Sequence, residues 1–388
     1  MEWRYLLDVS EINDKSVEKY EGKKKYSATG DVYYNKIVNF EKVDYENKPS
    51  RANRKVLSGE LLFAKMKGTT KVLKITNEIA DEYIFSTGFT TLKNKKGLNK
   101  DYLYYILISD YFQNEKDKYC SGATQKAINN TNLKKVKIPV PPMEIQEKIV
   151  QVLDQAQALI DKRKEQIEAL DQLIESIFYT MFGDPVRNEK GWEVKKLEDL
   201  AMINPRKSEV SDIKESDTYV SFVPMKDVGE DGVLNLKEKR KLNDVYSGYT
   251  YFKENDVLFA KITPCMENGK SCIAKGLINK IGFGSTEFHV IRGSTVLTKE
   301  YIYHLVRSQK FKEEAESKMT GSAGQKRVPR EFLERYSIGI PPLSLQDEFA
   351  QKVETIEKQK QLLSESLKLL EENYKSIMDK AFKGQLFN

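Results

Sequence analysis

The sequence predicts an α+β protein with two tandem globular domains, each containing a twisted β-sheet and each followed by a long helix. Two observations predict this fold class. Residues 119–182 align without a gap on residues 319–382, so the chain contains an internal repeat. The last part of each copy carries apolar residues at heptad spacing, which is typical of a coiled coil. We expect the two helices to pair as an antiparallel coiled coil that relates the domains by a pseudo-twofold axis.

The similarity between the two copies is uneven along the chain. Pro141-Pro142 matches Pro341-Pro342, and the helical segments that follow match well. Residues 10–50 and 203–250, by contrast, hardly match each other. A shared frame that carries two different binding surfaces would produce this pattern. Duplication of a purely structural domain is the alternative interpretation, and the uneven similarity argues against it.

The two Pro-Pro pairs mark the boundaries between domains and helices. Proline is tolerated in the first turn of a helix and disfavours helix before it, so each pair ends an extended segment and starts a helix. The predicted boundaries are residues 1–143 for the first domain, 144–183 for the first long helix, 184–343 for the second domain and 344–388 for the second long helix.

Both helical segments carry an apolar seam with alternating steps of four and three residues. In the second copy the seam includes Phe349, Val353, Ile356, Leu363, Leu370 and Ile377. In the first copy it includes Ile149, Val152 and Leu159, shifts phase near Arg163, and resumes at Leu170 and Ile177. A heptad seam with one phase shift indicates a coiled coil. The alternative, in which each helix packs only on its own domain, would leave apolar surface exposed.

The globular parts alternate between short strands and helices. Strands are short, β-branched or aromatic segments bounded by Gly, Asn or Pro. The predicted strands are 56–64, 72–75, 83–92 and 136–140 in the first copy, and 257–262, 271–274, 286–292 and 336–340 in the second. Helices are predicted at 100–116 and 299–318.

Composition excludes several classes of protein. With 388 residues and 39% hydrophobic content, the chain can form two or more ordinary globular domains. No apolar run is long enough for a membrane span, and Met1-Glu2-Trp3-Arg4 does not begin a secretory leader, so we expect a cytoplasmic protein with no membrane partner. The net charge is +6, and acids outnumber bases in both helical segments. The positive charge therefore lies in the globular parts, as expected of surfaces that contact phosphates.

The residues that usually build active sites and metal sites are scarce. The three cysteines form no Cys-x-x-Cys pair, and both histidines, His289 and His304, lie in the second half. If the halves are equivalent, a histidine-based catalytic site or a metal site is not expected. Asn204-Pro205-Arg206 lacks the second proline and the aromatic residue of an amino-methyltransferase motif. We therefore predict no catalytic residues, no metal and no cofactor bound by this chain.

Two loop families are the candidate DNA-binding residues. The first family follows the Phe-Ala-Lys strand of each copy and supplies Lys65, Lys67, Thr69 and Lys71, and Lys261, Thr263, Asn268 and Lys270. The second family, the Gln-Lys loops, supplies Thr124, Gln125 and Lys126, and Ser322, Gln325, Lys326 and Arg327. Lysine and arginine contribute charge toward phosphates, and glutamine and asparagine can bond base edges. An ordinary solvated turn is the alternative for each loop.

The whole chain resembles the specificity (S) subunit of Type I restriction-modification systems. The resemblance depends on Ile-Pro-Val-Pro-Pro-Met-Glu-Ile-Gln at 138–146 and Ile-Pro-Pro-Leu-Ser-Leu-Gln at 340–346. Gly284-Ser285-Thr286-Glu287-Phe288 and the Gln-Lys loops add to it. The first copy departs from this pattern, because Phe85-Ser86-Thr87-Gly88-Phe89 lacks the acidic residue present as Glu287.

The resemblance implies a division of labour between the parts of the chain. Each globular part is then a target recognition domain that reads one half of a split site in double-stranded DNA. The helices then set the gap between the halves and dock two modification subunits. The resemblance places S-adenosylmethionine on those subunits, and ATP and Mg on the restriction subunits that join the complex.

The sequence thus favours a DNA-reading subunit that performs no catalysis itself. Two alternatives from other classes stay open. One is a stand-alone DNA-modifying enzyme, either a nuclease or a methyltransferase. The other is a coiled-coil scaffold that binds only protein.

Overall fold

The computed structural model describes residues 2–122, 126–185, 187–213, 217–322 and 324–387. The chain divides into two compact units that do not follow one another along the sequence. Unit 1 consists of residues 1–164 and 365–388, and unit 2 consists of residues 165–364. Each unit therefore combines one globular domain with the first or last part of both long helices. The domain boundaries predicted from the Pro-Pro pairs stay a prediction.

The first domain consists of short strands and short helices, and it leads into a long helix. Its strands are Trp3–Tyr5 (β1), Ser10–Ile12 (β2), Lys24–Ser27 (β3), Val32–Tyr33 (β4), Lys36–Ile37 (β5), Glu41–Val43 (β6), Ala52–Arg54 (β7), Leu61–Ala64 (β8), Val72–Lys74 (β9), Tyr83–Ser86 (β10), Phe89–Asn94 (β11) and Lys137–Pro139 (β12). Its helices are Leu6–Val9 (α1), Asn77–Glu82 (α2), Lys100–Ile108 (α3), Asp110–Lys118 (α4), Asn130–Leu133 (α5) and the long helix Met143–Phe182 (α6).

The second domain has a similar but not identical order of elements. Its strands are Glu193–Lys196 (β13), Met202–Ile203 (β14), Tyr219–Val223 (β15), Glu238–Lys241 (β16), Thr250–Lys253 (β17), Val257–Ala260 (β18), Ser271–Ile273 (β19), Ile281–Gly284 (β20), Phe288–Arg292 (β21) and Ser337–Ile340 (β22). Its helices are Leu197–Leu200 (α7), Leu242–Tyr246 (α8), Lys299–Arg307 (α9), Gln309–Ser317 (α10), Arg330–Arg335 (α11) and the long helix Leu343–Phe382 (α12).

The sheets of the two domains have the same topology. One four-stranded sheet has the order β2-β11-β8-β9 in the first domain and β14-β21-β18-β19 in the second. The other has the order β6-β3-β10-β7 and β16-β15-β20-β17. In each domain, a two-stranded sheet joins the first strand to the last, β1 to β12 and β13 to β22. The predicted fold class, an α+β unit present twice, is confirmed.

Three local expectations are wrong. The segment 83–92 is two strands separated by a turn, and residues 56–60 precede strand β8 rather than belonging to it. The predicted helices 100–116 and 299–318 are each two helices, because Ser109 and Ser308 stand between them in extended conformation. The hydroxyls of these serines accept hydrogen bonds from the backbone N–H groups of Phe112 and Phe311, and so cap the second helices.

Matching glutamines fasten the start of each long helix to its own domain. The buried Gln146 side chain accepts a hydrogen bond from the Asn99 backbone N–H (2.8 Å) and donates to the carbonyls of Gly97 and Pro141. Gln346 repeats the arrangement with Thr298, Val296 and Pro341. The repeated Pro-Pro…Gln motif is therefore a device for anchoring a helix.

In unit 1, the start of α6 and the end of α12 run antiparallel. The Lys164 ammonium lies 2.9 Å from the Glu371 carboxylate, while Ile149 shares a core cluster with Phe382. Both helix segments also contact the domain. The Tyr105 hydroxyl donates a hydrogen bond to the Asp154 carboxylate on α6. Phe382 on α12 packs against Tyr102, with ring centroids 5.7 Å apart.

Unit 2 contains the complementary antiparallel segments. Asp171 on α6 pairs with Lys360 on α12, and the rings of Phe182 and Phe349 lie 5.2 Å apart. The core of unit 2 includes Phe178, which packs against Tyr301 of the domain. The helices therefore pair within each unit, and in addition pack on the domains. The pseudo-twofold relation stays a prediction.

The predicted phase shift in the seam of α6 is wrong. Leu159 is 55% exposed, whereas its neighbour Ile160 is 3% exposed and Leu153 is fully buried. A seam through Leu153, Ile160 and the half-buried Arg163 keeps steps of four and three without interruption. The error arose because two adjacent apolar residues, Leu159 and Ile160, both fit a helical pattern. In the second helix the predicted seam residues are buried or half-buried.

Candidate nucleic-acid interface

The two predicted loop families meet in the first domain. The loop 65–71 follows strand β8, and the loop 121–127 follows helix α4. The Lys67 backbone N–H donates a hydrogen bond to the Lys126 carbonyl (2.9 Å), and the Ile128 N–H donates to the Lys65 carbonyl (3.0 Å). Ser121 and Ala127 pair at the base of the second loop. Two loops far apart in sequence therefore form one surface.

The second domain builds the same surface from equivalent residues. The Thr263 backbone N–H donates to the Lys326 carbonyl (3.0 Å), and the Val328 N–H donates to the Lys261 carbonyl (2.9 Å). Thr320 and Arg327 pair at the base of the second loop. We refer to each of these surfaces as a paired loop: residues 65–71 with the described residues 121–122 and 126–127, and residues 261–270 with the described residues 320–322 and 324–327.

A cationic side chain, completely buried in the first domain and half-buried in the second, supports the paired loop in each domain, and sequence reasoning missed both. The Lys116 ammonium is completely buried and donates to the carbonyls of Met66 (3.0 Å) and Thr69 (2.8 Å). Burial lowers the pKa of Lys116. In the second domain the Arg307 guanidinium donates to the Gly269 carbonyl (3.0 Å). The sequence signal for Lys116 was weak: it lies four residues after Phe112, so the two side chains share one helix face.

Four of the predicted lysines have exposed or half-buried side chains. Lys67, Lys126 and Lys326 are exposed, and Lys261 is half-buried. Within the part of the chain that the structure describes, these ammonium groups form no ion pair. The half-buried Lys270 has no such pair with a described residue either. Unpaired ammonium groups on a loop surface are suited to bind anions such as phosphates.

Other predicted residues bond within the protein. The Lys71 ammonium donates to the Thr29 carbonyl, and the Asn268 amide donates to the Glu230 carboxylate (2.8 Å). Burial, reinforced by the nearby Arg54, lowers the pKa of Lys65. The Thr263 hydroxyl donates to the Lys326 carbonyl (3.2 Å). These groups shape the paired loops.

Three of the remaining predicted residues, Thr69, Ser322 and Gln325, lie within the described part of the paired loops. Ser322 and Gln325 are exposed, and the Gln325 backbone N–H donates to the Ser322 carbonyl (3.0 Å). Thr69 is half-buried, and its carbonyl accepts the Lys116 bond. Thr124 and Gln125 lie outside the described residues.

The second domain has a charged pair at its paired loop that the first domain lacks. The Arg327 guanidinium makes two hydrogen bonds, of 2.9 and 2.8 Å, to the Glu287 carboxylate. These bonds lower the pKa of Glu287. The equivalent positions of the first domain are Gly88 and Ala127. Phe89 pairs with Ala64 as Phe288 pairs with Ala260, and Ala127 forms the same bridges as Arg327. The two surfaces therefore present different chemistry on one backbone frame.

The histidines have structural surroundings. Burial lowers the pKa of His289 to about 4 and that of His304 to about 3, so both rings are neutral at pH 7. The His304 ring packs edge-on against Phe349. Among the described residues, no group of three or more His, Cys, Asp or Glu side chains is arranged to hold a metal ion. Across the same residues, no helix combines the length and apolarity needed to cross a membrane.

Each long helix carries exposed leucines. In unit 1 these are Leu159 (55% exposed) and Leu369 (60%), and in unit 2 they include Leu173 (45%) and Leu362 (66%). At about 100° per residue, Leu159 lies about 140° around the helix from Asp154, which contacts the domain. Exposed apolar residues concentrated on one helix face are typical of a protein-binding surface.

Comparison with known proteins identifies the family. The model of the Type I restriction modification DNA specificity domain matches residues 2–170 and again residues 189–372. The two matches correspond to the two copies of the repeat. A chain from a solved structure on complex assembly and conformational transition of the type I R-M system has the same fold. Its TM-score is 0.61 at 18% identity, and the match covers 99% of this chain and 98% of that one.

Individual relatives are similar over different lengths. The EcoAI specificity subunit of Escherichia coli is 43% identical over 166 residues, which cover 42% of this chain and 27% of the relative. The putative MjaX specificity subunit of Methanocaldococcus jannaschii is 22% identical over 358 residues, or 86% of this chain and 80% of the relative. This chain thus spans about a quarter of the EcoAI subunit. With both copies of the repeat matched by one family model, the chain belongs to the family of Type I restriction modification DNA specificity domains.

Proposed function

We propose that this chain reads a two-part DNA sequence and performs no catalysis itself. The paired loop carries this proposal. It occurs once in each domain and is held by the same backbone hydrogen bonds. At equivalent positions it presents Lys126 and Lys326, which form no ion pair with a described residue. Lysine contacts to phosphate supply affinity and register, and base contacts supply sequence preference. Two copies on one chain would bind two half-sites.

The two domains would read different half-sites. The frame is shared, whereas the side chains on it differ, as the Glu287–Arg327 pair and its counterparts Gly88 and Ala127 illustrate. The strands of residues 10–50 and 203–250 share a sheet topology but hardly match in sequence. The recognised site would therefore be asymmetric.

The long helices would set the spacing between the half-sites. Each helix has 40 residues, which correspond to about 60 Å, and contains neither glycine nor proline. Two-part DNA readers need half-sites about 34–36 Å apart or a multiple of this distance. A rigid helical pair can hold such a distance, whereas a flexible linker cannot.

The exposed leucines would dock partner subunits. We place two modification subunits on these helix faces, with S-adenosylmethionine bound to them, and restriction subunits using ATP and Mg in the complete complex. The leucines support this because they leave apolar surface uncovered in both units.

A loop exchange tests the proposal. The double substitution Glu287→Gly and Arg327→Ala gives the second domain the residues that the first domain has at these two equivalent positions. Assembled with modification subunits, this variant should methylate DNA with altered preference in one half-site, while the other half-site and the gap stay unchanged. Changes in both half-sites would contradict the division between domains. Turnover by the purified chain alone, given DNA, Mg²⁺ and S-adenosylmethionine, would support the enzyme alternative instead.

A scaffold that binds only protein is distinguished by a second variant. Substituting Lys126 and Lys326 by alanine removes ammonium groups but keeps the carbonyls that join the loops. Normal complex assembly with unchanged DNA binding would support the scaffold. Normal assembly with weakened DNA binding supports the DNA reader.

A further inference from the structure

A small hairpin in the first domain presents two tyrosines to solvent. Strands β4 and β5 pair through Val32 with Ile37 and Tyr33 with Lys36. Tyr33 and Tyr34 are each 64% exposed, and their rings lie edge to face with centroids 4.7 Å apart. Large aromatic side chains with this much exposure cost solvation free energy unless a partner covers them.

The hairpin is held firmly at its base and along one side. Val32 is completely buried in the core of the domain. The Asp31 carboxylate accepts a hydrogen bond from the Ala28 backbone N–H (2.8 Å), and the Asp31 carbonyl accepts one from Val38 (2.8 Å). The Tyr34 carbonyl accepts a bond from the Val72 N–H (3.3 Å). A fixed hairpin can present side chains to a partner with little loss of conformational entropy.

The backbone at the tip is strained. Tyr34 has a φ of 49°, in the left-handed region that bulky side chains rarely occupy. Glycine or asparagine would adopt this conformation more easily. Strained residues cluster at binding and catalytic sites, where the side chain contributes something that the favoured residue would not.

The position of the hairpin points to DNA. It adjoins the first paired loop, because the Lys71 ammonium donates to the Thr29 carbonyl just before β4. Lys36 next to the tip is exposed and forms no ion pair with the described residues.

The second domain has different chemistry in the equivalent connection. Between β15 and β16, Val228 and Leu234 form a bridge around Gly229-Glu230-Asp231-Gly232. Glu230 and Asp231 are exposed at this tip. An acidic tip favours contact with the amino group of cytosine, whereas aromatic rings favour apolar contacts such as the thymine methyl group. The two connections therefore suit different base pairs.

We propose that the hairpin Val32–Ile37 enters the major groove of the first half-site, where Tyr33 and Tyr34 contact base edges and determine sequence preference. A two-stranded β-ribbon fits the width of the major groove. Lys36 would contact a phosphate beside it. This inference rests on the proposed DNA-reading function and adds specificity-determining residues outside the paired loops.

The test uses this chain assembled with modification subunits, and compares a duplex carrying the mapped site with one of scrambled sequence. Tyr33→Ala and Tyr34→Gly should each weaken binding to the mapped site about tenfold, with binding to the scrambled duplex nearly unchanged. Glycine suits the backbone at Tyr34, so Tyr34→Gly should leave the melting temperature unchanged or raise it. Weaker DNA binding at an unchanged melting temperature would show that Tyr34 contacts DNA rather than stabilising the fold.

Two control variants make the outcomes distinct. Tyr5→Ala removes a 45% exposed tyrosine from edge strand β1 and should bind both duplexes like the unaltered chain. Lys126→Ala should weaken binding to both duplexes. Unchanged site binding by Tyr33→Ala and Tyr34→Gly, with Lys126→Ala weakened, would overturn the hairpin inference alone. Impaired assembly of the Tyr33→Ala variant with modification subunits would overturn it in favour of a protein contact.

Discussion

Removing one lysine from each paired loop should lower the salt dependence of DNA binding by a calculable amount. Lys126 and Lys326 are both exposed and have no ion pair with a described residue. Their backbone carbonyls join the paired loops, and alanine retains these carbonyls. The double variant Lys126→Ala, Lys326→Ala should therefore fold normally and lose two ammonium groups.

The size of the effect follows from counterion release. Each phosphate that a lysine neutralises contributes about 0.9 to the slope of log affinity against log salt concentration. Two lost contacts should reduce the slope by about 1.8. On raising salt from about 50 to about 200 mM, the affinity of the variant should then fall about tenfold less than that of the unaltered chain.

Fluorescence anisotropy on the assembled complex measures this slope. Lys148→Ala is a matched control, because Lys148 lies on the exposed face of α6 and pairs with Glu144 at 2.6 Å. The control should keep the original slope. An unchanged slope in the double variant, or a change confined to one DNA sequence, would refute phosphate contact by these lysines.

Three further predictions concern the frame. Phe349→Ala should lower the free energy of unfolding in urea by about 3–5 kcal/mol, because the ring is fully buried against Phe178, Phe182 and His304. The control Leu343→Ala, at an exposed position, should lower it far less. Equal losses in the two variants would contradict the proposed packing of Phe349. Leu369→Asp should abolish co-purification with modification subunits while leaving the melting temperature nearly unchanged, and retained co-purification would exclude this docking face. Burial alone would raise the pKa of Glu209, but hydrogen bonds from Lys253 and Arg292 lower that pKa to about 2. The stabilisation that this carboxylate provides should be present above about pH 4.5 and decline toward pH 2. Glu209→Gln should remove that part of the pH dependence of stability. Identical melting curves for the variant and the unaltered chain across this pH range would contradict the role given to Glu209.

Much of the frame was predictable because it depends on periodic patterns. The seam of α12 follows from apolar residues at steps of four and three, and the Pro-Pro pairs mark both helix starts. In α6 either of the adjacent residues Leu159 and Ile160 could belong to the apolar seam. The structure buries Ile160 and exposes Leu159, so Ile160 is the seam residue. Strand β3, with the sequence Lys-Lys-Tyr-Ser, is too short and too polar to stand out as a strand.

The candidate interface was predictable in its parts and unpredictable in its assembly. The sequence located the loops, because glycine, lysine and glutamine cluster there in both copies. Their association depends on backbone bonds such as Lys67 to Lys126, which leave no trace in residue identity. The support from buried Lys116 was hidden for the same reason, since its partners are carbonyl groups.

Mapping the methylated sequence tests the central claim most directly. The chain should be produced with its modification subunits, and genomic DNA exposed to the complex should be sequenced by a method that detects modified bases. We predict a single asymmetric motif with two short specified parts separated by a gap of fixed length and unspecified sequence. One continuous motif, or two parts separated by variable gaps, would contradict an account in which two domains read DNA from a rigid helical frame.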